Sequence, residues 1–300
     1  MLSAIIPPTL YSSRSVESGD AHSSACFQVR ALTYQRIDPW DYANHDELLH
    51  AIRLLGRKIA DEAVRCVERG HHIDDYVLSS TILSPLLMDS SNYAALFRET
   101  ISKHAGRPVD WFTHAYECAG WGYVMRHVHA KARTTGQRTL LLQIADVDIH
   151  CFAYWRSNGK WGNSGFGICT ILMDVLPGDT PELLVGAASQ ANAMVQMGRA
   201  LRDFRTTREN VPVAVPFFRE AERKVLIKCI GDAEMQGDGY ADFGHSFGSD
   251  PWISMLMNAV RFEKPSFKKS IINSLALNGY FSIAELEFHD DALFRLETRQ

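Results

Sequence analysis

Cys118 is the residue around which chemistry can be organised. It stands in the run His114-Ala115-Tyr116-Glu117-Cys118-Ala119-Gly120-Trp121-Gly122-Tyr123, between an apolar approach over 109–113 and an amphipathic helical pattern over 121–134. A thiol at a helix N-terminus sits in the positive end of the macrodipole, which favours thiolate and predicts a pKa below the free value of about 8.5. Such a thiolate is a nucleophile, and the small residues Ala119, Gly120 and Gly122 let a substrate chain or a second helix come close. A buried structural thiol is the commoner role of an isolated cysteine, so the surroundings of Cys118 have to decide. In the second half of the chain the candidate bases are His245 and His289, and His289 follows the last strand pattern, where exposure is expected. Asp242 and Asp250 flank the His245 loop and could orient an imidazole, although an Asp before Pro251 also begins a turn or caps a helix.

Elements that could hold these residues follow from the periodicity. Apolar positions Leu48, Leu49, Ile52, Leu55, Ile59, Ala63 and Val67 predict a helix over 45–69. A strand over 75–83, a helix over 92–105 and a strand over 109–115 then lead into Cys118. The run 138–146 is apolar throughout, as in strands covered on both faces. A Gly-rich turn over 161–167 feeds a strand over 168–175. The second half predicts a helix over 187–208, an extended stretch over 211–216, a charged helix over 218–230, a glycine-rich loop over 237–248 and a helix over 251–260. Two apolar strands, 270–277 and 281–288, are joined by Asn278-Gly279, a strong hairpin signal. Both halves run β/α and end in a strand pair, which predicts two similar halves, 1–178 carrying the thiol and 179–300 carrying the histidine and the hairpin.

Composition narrows the function classes. The 300 residues are 46% hydrophobic and 22% charged with a net charge of -4, and no basic run interleaved with aromatics occurs, which argues against nucleic-acid binding. The apolar stretch at the start lacks a positive n-region and no run approaches a membrane span, so a cytoplasmic protein without membrane association is expected. Six cysteines without CxxC spacing suggest reduced thiols and no zinc site. His127 and His129 point to opposite sides of one helix, which disfavours chelation, and no metal is expected. The turn over 162–167 precedes a strand instead of opening a helix, so it is no dinucleotide fingerprint.

Four places in order carry a resemblance: the strand running into Cys118-Ala119-Gly120-Trp121, the turn Gly162 to Gly167 before a strand, Gly244-His245-Ser246, and the hairpin Asn278-Gly279-Tyr280-Phe281. In these the chain resembles the thiolase superfamily, and within it the 3-oxoacyl-acyl-carrier-protein synthase III group. The resemblance implies an α/β, five-layered αβαβα fold of two related halves, and a homodimer or a heterodimer with a related ketosynthase. It implies a Cys118 that takes an acyl group from coenzyme A or an acyl carrier protein and passes it to a second substrate, in fatty-acid-like or polyketide assembly, with no cofactor. The oxyanion donors would be the backbone N–H groups of Cys118 and Gly279. Arg219, Arg223 and Lys224 could dock an acidic carrier, against the simpler reading of a solvated helix face.

Two departures from that family matter. Its proline-linked histidine is replaced by Phe217 after Pro216, and the asparagine of its Gly-Asn-Thr turn is replaced by His245. Elongating synthases of the superfamily carry a histidine at that second place, so the resemblance implies a Cys118/His245 dyad. With Phe217 in place of a donor, acyl transfer becomes more attractive than decarboxylative condensation. A non-catalytic partner subunit of a heteromeric ketosynthase and an acyl-thioester hydrolase are the alternative readings.

Overall fold

The computed structural model describes residues 25–67, 72–88, 92–178, 182–261 and 267–298. Its N-terminal part holds β1 (Phe27–Arg36), α1 (His45–Val67), β2 (Asp75–Ser79), α2 (Ser84–Met88), α3 (Asn92–Ala105) and β3 (Trp111–Thr113). Then come α4 (Gly120–Thr135), β4 (Arg138–Asp146), α5 (Ala153–Arg156), the small pair β5 (Ser157–Asn158) and β6 (Gly162–Asn163), and β7 (Gly167–Val175). The C-terminal part holds β8 (Leu183–Ala187), α6 (Ala193–Arg205), β9 (Val213–Ala214), α7 (Glu220–Ile230), α8 (Tyr240–Phe243), α9 (Asp250–Arg261), β10 (Lys269–Leu275) and β11 (Tyr280–Glu297).

Apolar runs become central strands because both of their faces can be covered. β4 and β7 pair antiparallel along their full length, Arg138 opposite Val175 and Asp146 opposite Gly167. β2 runs parallel to β3 and β4, and β1 antiparallel to β7, giving the spatial order β3-β2-β4-β7-β1. The C-terminal strands repeat this plan. β9 is parallel to β10 and to a single bridge at Met235, while β11 is antiparallel to β10 and β8. With the β5–β6 pair set aside, each part lays its third, second, fourth, fifth and first strands side by side. The long β11 then pairs with β1 and joins the two parts into one ladder.

Helices fill the faces in layers. Leu55, Ile59 and Ala63 of α1, with Phe97 and Ile101 of α3, pack against Leu78, Leu141 and Leu172. The opposite face meets Trp121, Val124 and Val128 of α4 and Trp252, Ile253 and Leu256 of α9, which also touch Ile272 and Ala284 of the second strand set. Beyond those strands, Met197 and Leu201 of α6 and Leu226 and Ile230 of α7 cover Val213, Ile271 and Ile283. The result is the five-layered αβαβα arrangement, in which α4 and α9 form the middle layer. Local signals agree with it: Asn44 Oδ1 accepts the Glu47 N–H (3.0 Å) and Glu47 accepts the Ala43 N–H (2.8 Å), a reciprocal cap that starts α1.

Several elements differ from the sequence pattern. That pattern does not mark β1 and β8, the first strands of the two sets. β1 carries Arg30 and Arg36 inside its run, and Arg30 is neutralised by the nearly buried Asp174 on the neighbouring β7, a partner no local pattern reveals. The helix expected over 187–208 begins only at Ala193, after β8, because Leu183 to Ala187 pair with β11. The strand expected over 75–83 stops at Ser79, where the chain turns around a buried carboxylate. The last strand continues past Phe288 to Glu297, since its second portion has β1 to pair with.

Candidate active site

Cys118 lies in a single tight turn, Glu117–Ala119, that opens directly into α4. Glu117 holds a φ of 45°, a left-handed conformation that a glutamate adopts only when its surroundings impose it. Its carboxylate supplies the reason, accepting the Leu277 N–H (2.9 Å) and the Asn278 N–H (3.4 Å) from the β10–β11 hairpin. Cys118 is thereby pinned beside the C-terminal strands while α4 packs into the middle layer, where the Trp121 indole N–H donates to Ser274 (2.8 Å).

His245 approaches from the other strand set. Its Nε2 is 3.9 Å from the Cys118 Sγ, and both residues are buried. On its far side Nδ1 lies 2.7 Å from Asp250 Oδ2 and 3.1 Å from the Phe217 carbonyl. Two oxygens beside Nδ1 fix the tautomer with the proton on Nδ1, which leaves Nε2 as the acceptor facing the thiol. Asp250 is fully buried at the start of α9 and accepts two further bonds, from the Ser246 N–H (2.5 Å) and the Phe217 N–H (2.9 Å). Burial pushes its carboxyl above the ordinary range, against the opposing pull of the imidazole and of those two amides. The arrangement has the geometry of a Cys–His–Asp triad. It joins the two residues expected together and promotes Asp250 from a flanking candidate to the third member.

The loop carrying His245 is braced by the glycine turn that the sequence singled out. The His245 N–H donates to Asn163 (2.9 Å), and the Gly165 N–H donates to the His245 carbonyl (2.9 Å). A Cβ on Gly165 would lie 1.8 Å from the Phe243 carbonyl oxygen, so no larger residue fits there. Aromatic rings close the remaining space. Ile82, Trp161, Phe166 and Phe247 pack together with Cys118, and Trp155 covers them. The imidazole is flanked by Phe247, Trp161 and Phe218, with centroids 5.1, 5.7 and 6.0 Å away.

Other expectations fare differently. The Cys118 thiol is not acidified by the helix: burial pushes it well above its ordinary value, and the negative charges of Asp146, Asp250 and Glu117 add to that, against a hydrogen bond from Thr81. Desolvation outweighs the dipole because the sulfur is enclosed by rings instead of facing water. Gly279 has a φ of 91° and lies at the hairpin, but its N–H donates to the Ala276 carbonyl (3.0 Å), which closes the turn and takes up the proposed oxyanion donor. Phe217 does stand behind Pro216 beside the imidazole, yet its ring is buried in the main core and its backbone serves the site, while the ring stacked on His245 belongs to Phe218. Arg219, Arg223 and Lys224 form ion pairs with Glu222, Asp238 and Glu220, so their face is of mixed charge. His127 packs on Trp111 and His129 on Phe27. Among the described residues no group of three His, Cys, Asp or Glu could hold a metal ion, and no helix is long and apolar enough to cross a membrane.

No protein-family model and no curated protein matches the chain. Its fold does match solved structures. The acyltransferase ChlB3 superimposes with a TM-score of 0.63 at 13% identity, covering 91% of this chain and 98% of the other. A 3-oxoacyl-(acyl-carrier protein) synthase from Burkholderia xenovorans LB400 gives 0.62 at 9% identity over 91% and 97%, and 3-oxoacyl-(acyl carrier protein) synthase III from Pseudomonas aeruginosa PAO1 gives 0.59 at 11% over 88% and 98%. The chain has the thiolase-like fold of synthase III enzymes, and these structural neighbours are condensing or acyl-transferring enzymes.

Proposed function

We propose that this protein is an acyltransferase that loads an acyl group from a thioester of coenzyme A or of an acyl carrier protein onto Cys118 and passes it to a second substrate. The observation that carries the reading is the alignment of Sγ, Nε2, Nδ1 and Asp250 Oδ2 in one buried line of contacts, 3.9 Å and 2.7 Å. In loading, His245 Nε2 takes the Cys118 proton as Sγ attacks the thioester carbonyl, and the imidazolium returns that proton to the departing thiolate. Asp250 holds the imidazole in the required tautomer and offsets its transient positive charge. Because burial favours the thiol over the thiolate, the base is needed at the moment of attack. In transfer, Nε2 deprotonates the incoming nucleophile, which displaces Cys118, and the imidazolium returns that proton to the departing Cys118 sulfur. The Cys118 amide remains the donor proposed for the oxyanion of both steps.

The charges favour simple transfer over decarboxylative condensation. Asp146, Asp250 and Glu117 all disfavour negative charge at the sulfur, and an extender carboxylate would meet the same field. The side chain stacked on the imidazole is Phe218, which offers no donor to an enolate. The aromatic cover of Trp155, Trp161 and Phe247 keeps water from the acyl-enzyme and so speaks against hydrolysis. A non-catalytic subunit would have no use for an aligned triad.

Intact-protein mass spectrometry after incubation with acyl-coenzyme A and acyl-carrier thioesters tests the reading. Native chain should gain one acyl mass, Cys118→Ala none, and His245→Ala should load at least about a hundredfold more slowly. Absence of any adduct on the native chain with every donor would end it.

A further inference from the structure

The turn after β2 holds a buried polar cluster that the triad does not use. Asp146, at the end of β4, is 1% exposed, and its Oδ1 accepts the Ser80 hydroxyl (3.0 Å), the Thr81 N–H (2.6 Å) and the Ile82 N–H (3.2 Å). Ser80 Oγ in turn accepts the Leu83 N–H (2.9 Å), and the Ser80 N–H donates to the Thr113 carbonyl (3.0 Å). A segment tied at so many points around one carboxylate cannot turn freely. Its Thr81 side chain is therefore held with Oγ1 3.9 Å from the Cys118 Sγ, the same separation as His245 Nε2. Asp146 Oδ2 makes no hydrogen bond of ordinary geometry, although the Gly248 amide also pulls on the carboxyl. An interior carboxylate with an open oxygen is costly, and the fold keeps it where it arranges the neighbour of the reacting sulfur.

We propose that Thr81 is a second catalytic partner of Cys118, donating its hydroxyl hydrogen to the sulfur as negative charge gathers there, and that Asp146 is the positioning residue that aims it. The proposal takes the name of its reaction from the acyl-transfer reading, but the contact with sulfur does not depend on that reading. The Cys118 proton goes to His245 Nε2, Thr81 keeps its own proton throughout, and no bond to Thr81 forms or breaks. Four ionisable groups face the sulfur: His245, which takes its proton, and the carboxyls of Asp146, Asp250 and Glu117, which oppose a thiolate. Thr81 is the neutral donor that favours one.

The rate of Cys118 alkylation by iodoacetamide against pH, read at the Cys118 peptide by mass spectrometry, separates the roles. Thr81→Val should raise the pH of half-maximal reaction by about one unit, equivalent to about tenfold less thiolate at neutral pH, and Thr81→Ser should restore the native profile. Asp146→Asn keeps an oxygen for the Thr81 and Ile82 amides but removes a negative charge, so it should shift the profile downward. A Thr81→Val profile that overlies the native one, or a Thr81→Ser shift as large as that of Thr81→Val, would overturn the assignment. If the alkylation pattern appears but no thioester loads the native chain, the acyl-transfer reading fails and this assignment stands. Normal loading with an unshifted Thr81→Val profile would overturn the role of Thr81 and leave acyl transfer standing.

Discussion

The two sides of the Cys118–His245 contact are built by different means. Cys118 is carried on regular structure: its turn opens a sixteen-residue helix beside a five-strand set whose central members pair over nine residues. His245 hangs on a loop in a strand set where β9 is two residues long and the third strand is a single bridge at Met235. Backbone ladders cannot place a side chain there to a fraction of an ångström. Asp250 takes over that task by gathering the imidazole, the Ser246 amide and the Phe217 amide onto one buried carboxyl. The same fold plan, used twice, positions the proposed nucleophile through secondary structure and the proposed base through one side chain.

This contrast predicts unequal sensitivity. Asp250→Ala strips partners from three donors at once and should cost about 3 kcal/mol of stability, with loading of Cys118 slowed on the order of 10³-fold, as urea denaturation and single-turnover acylation would measure. Unimpaired loading in that variant would remove the proposed difference between the sides.

Asp146 offers a pH-dependent test on the thiol side. Burial raises its folded pKa to about 6, while the amides of Thr81, Ile82 and Gly248 and the Ser80 hydroxyl pull it down. The folded state thus holds a proton to higher pH than the unfolded chain, where aspartate titrates near 3.9. Stability from this group is therefore complete below about pH 4 and declines as pH rises through 6, by up to about 3 kcal/mol. Asp146→Asn should flatten that decline and be the more stable protein at pH 7 by about 1–3 kcal/mol, with the difference vanishing near pH 4 in denaturation curves.

Smaller effects sharpen the comparison. A Cβ added at Gly248 would sit 3.2 Å from Ile144 Cγ2 and 3.3 Å from the Cys118 carbonyl oxygen, where the two loops meet. Gly248→Ala should therefore slow acyl loading by roughly tenfold while costing only about 1 kcal/mol, because it shifts the loops against each other without opening a cavity. A chromogenic disulfide reagent should modify the exposed Cys151 at least several-fold faster than the enclosed Cys118, which peptide mapping would show.

Legibility follows the range of the interactions involved. The helix over 92–105 and the strand over 138–146 have the same bounds in the sequence pattern and in the fold, since each carries its own periodicity. β1 and β8 escape the pattern because their pairing partners lie far along the chain. Cys118 and His245 can be nominated from residue type and neighbouring motifs. Thr81 and Asp146 give no comparable signal beyond an acid closing an apolar run.

The amino-acid sequence by itself determined the alternation of elements, the tight turns at its glycines and the candidate thiol and imidazole, all properties of neighbouring residues. Tertiary structure alone decided the upward push on the Cys118 thiol, the choice of Asp250 over Asp242 behind His245, the loss of the Gly279 amide to its own turn and the contact of Thr81 with sulfur. Those depend on desolvation and on distances between segments up to 127 residues apart, such as Cys118 and His245, which no local pattern encodes.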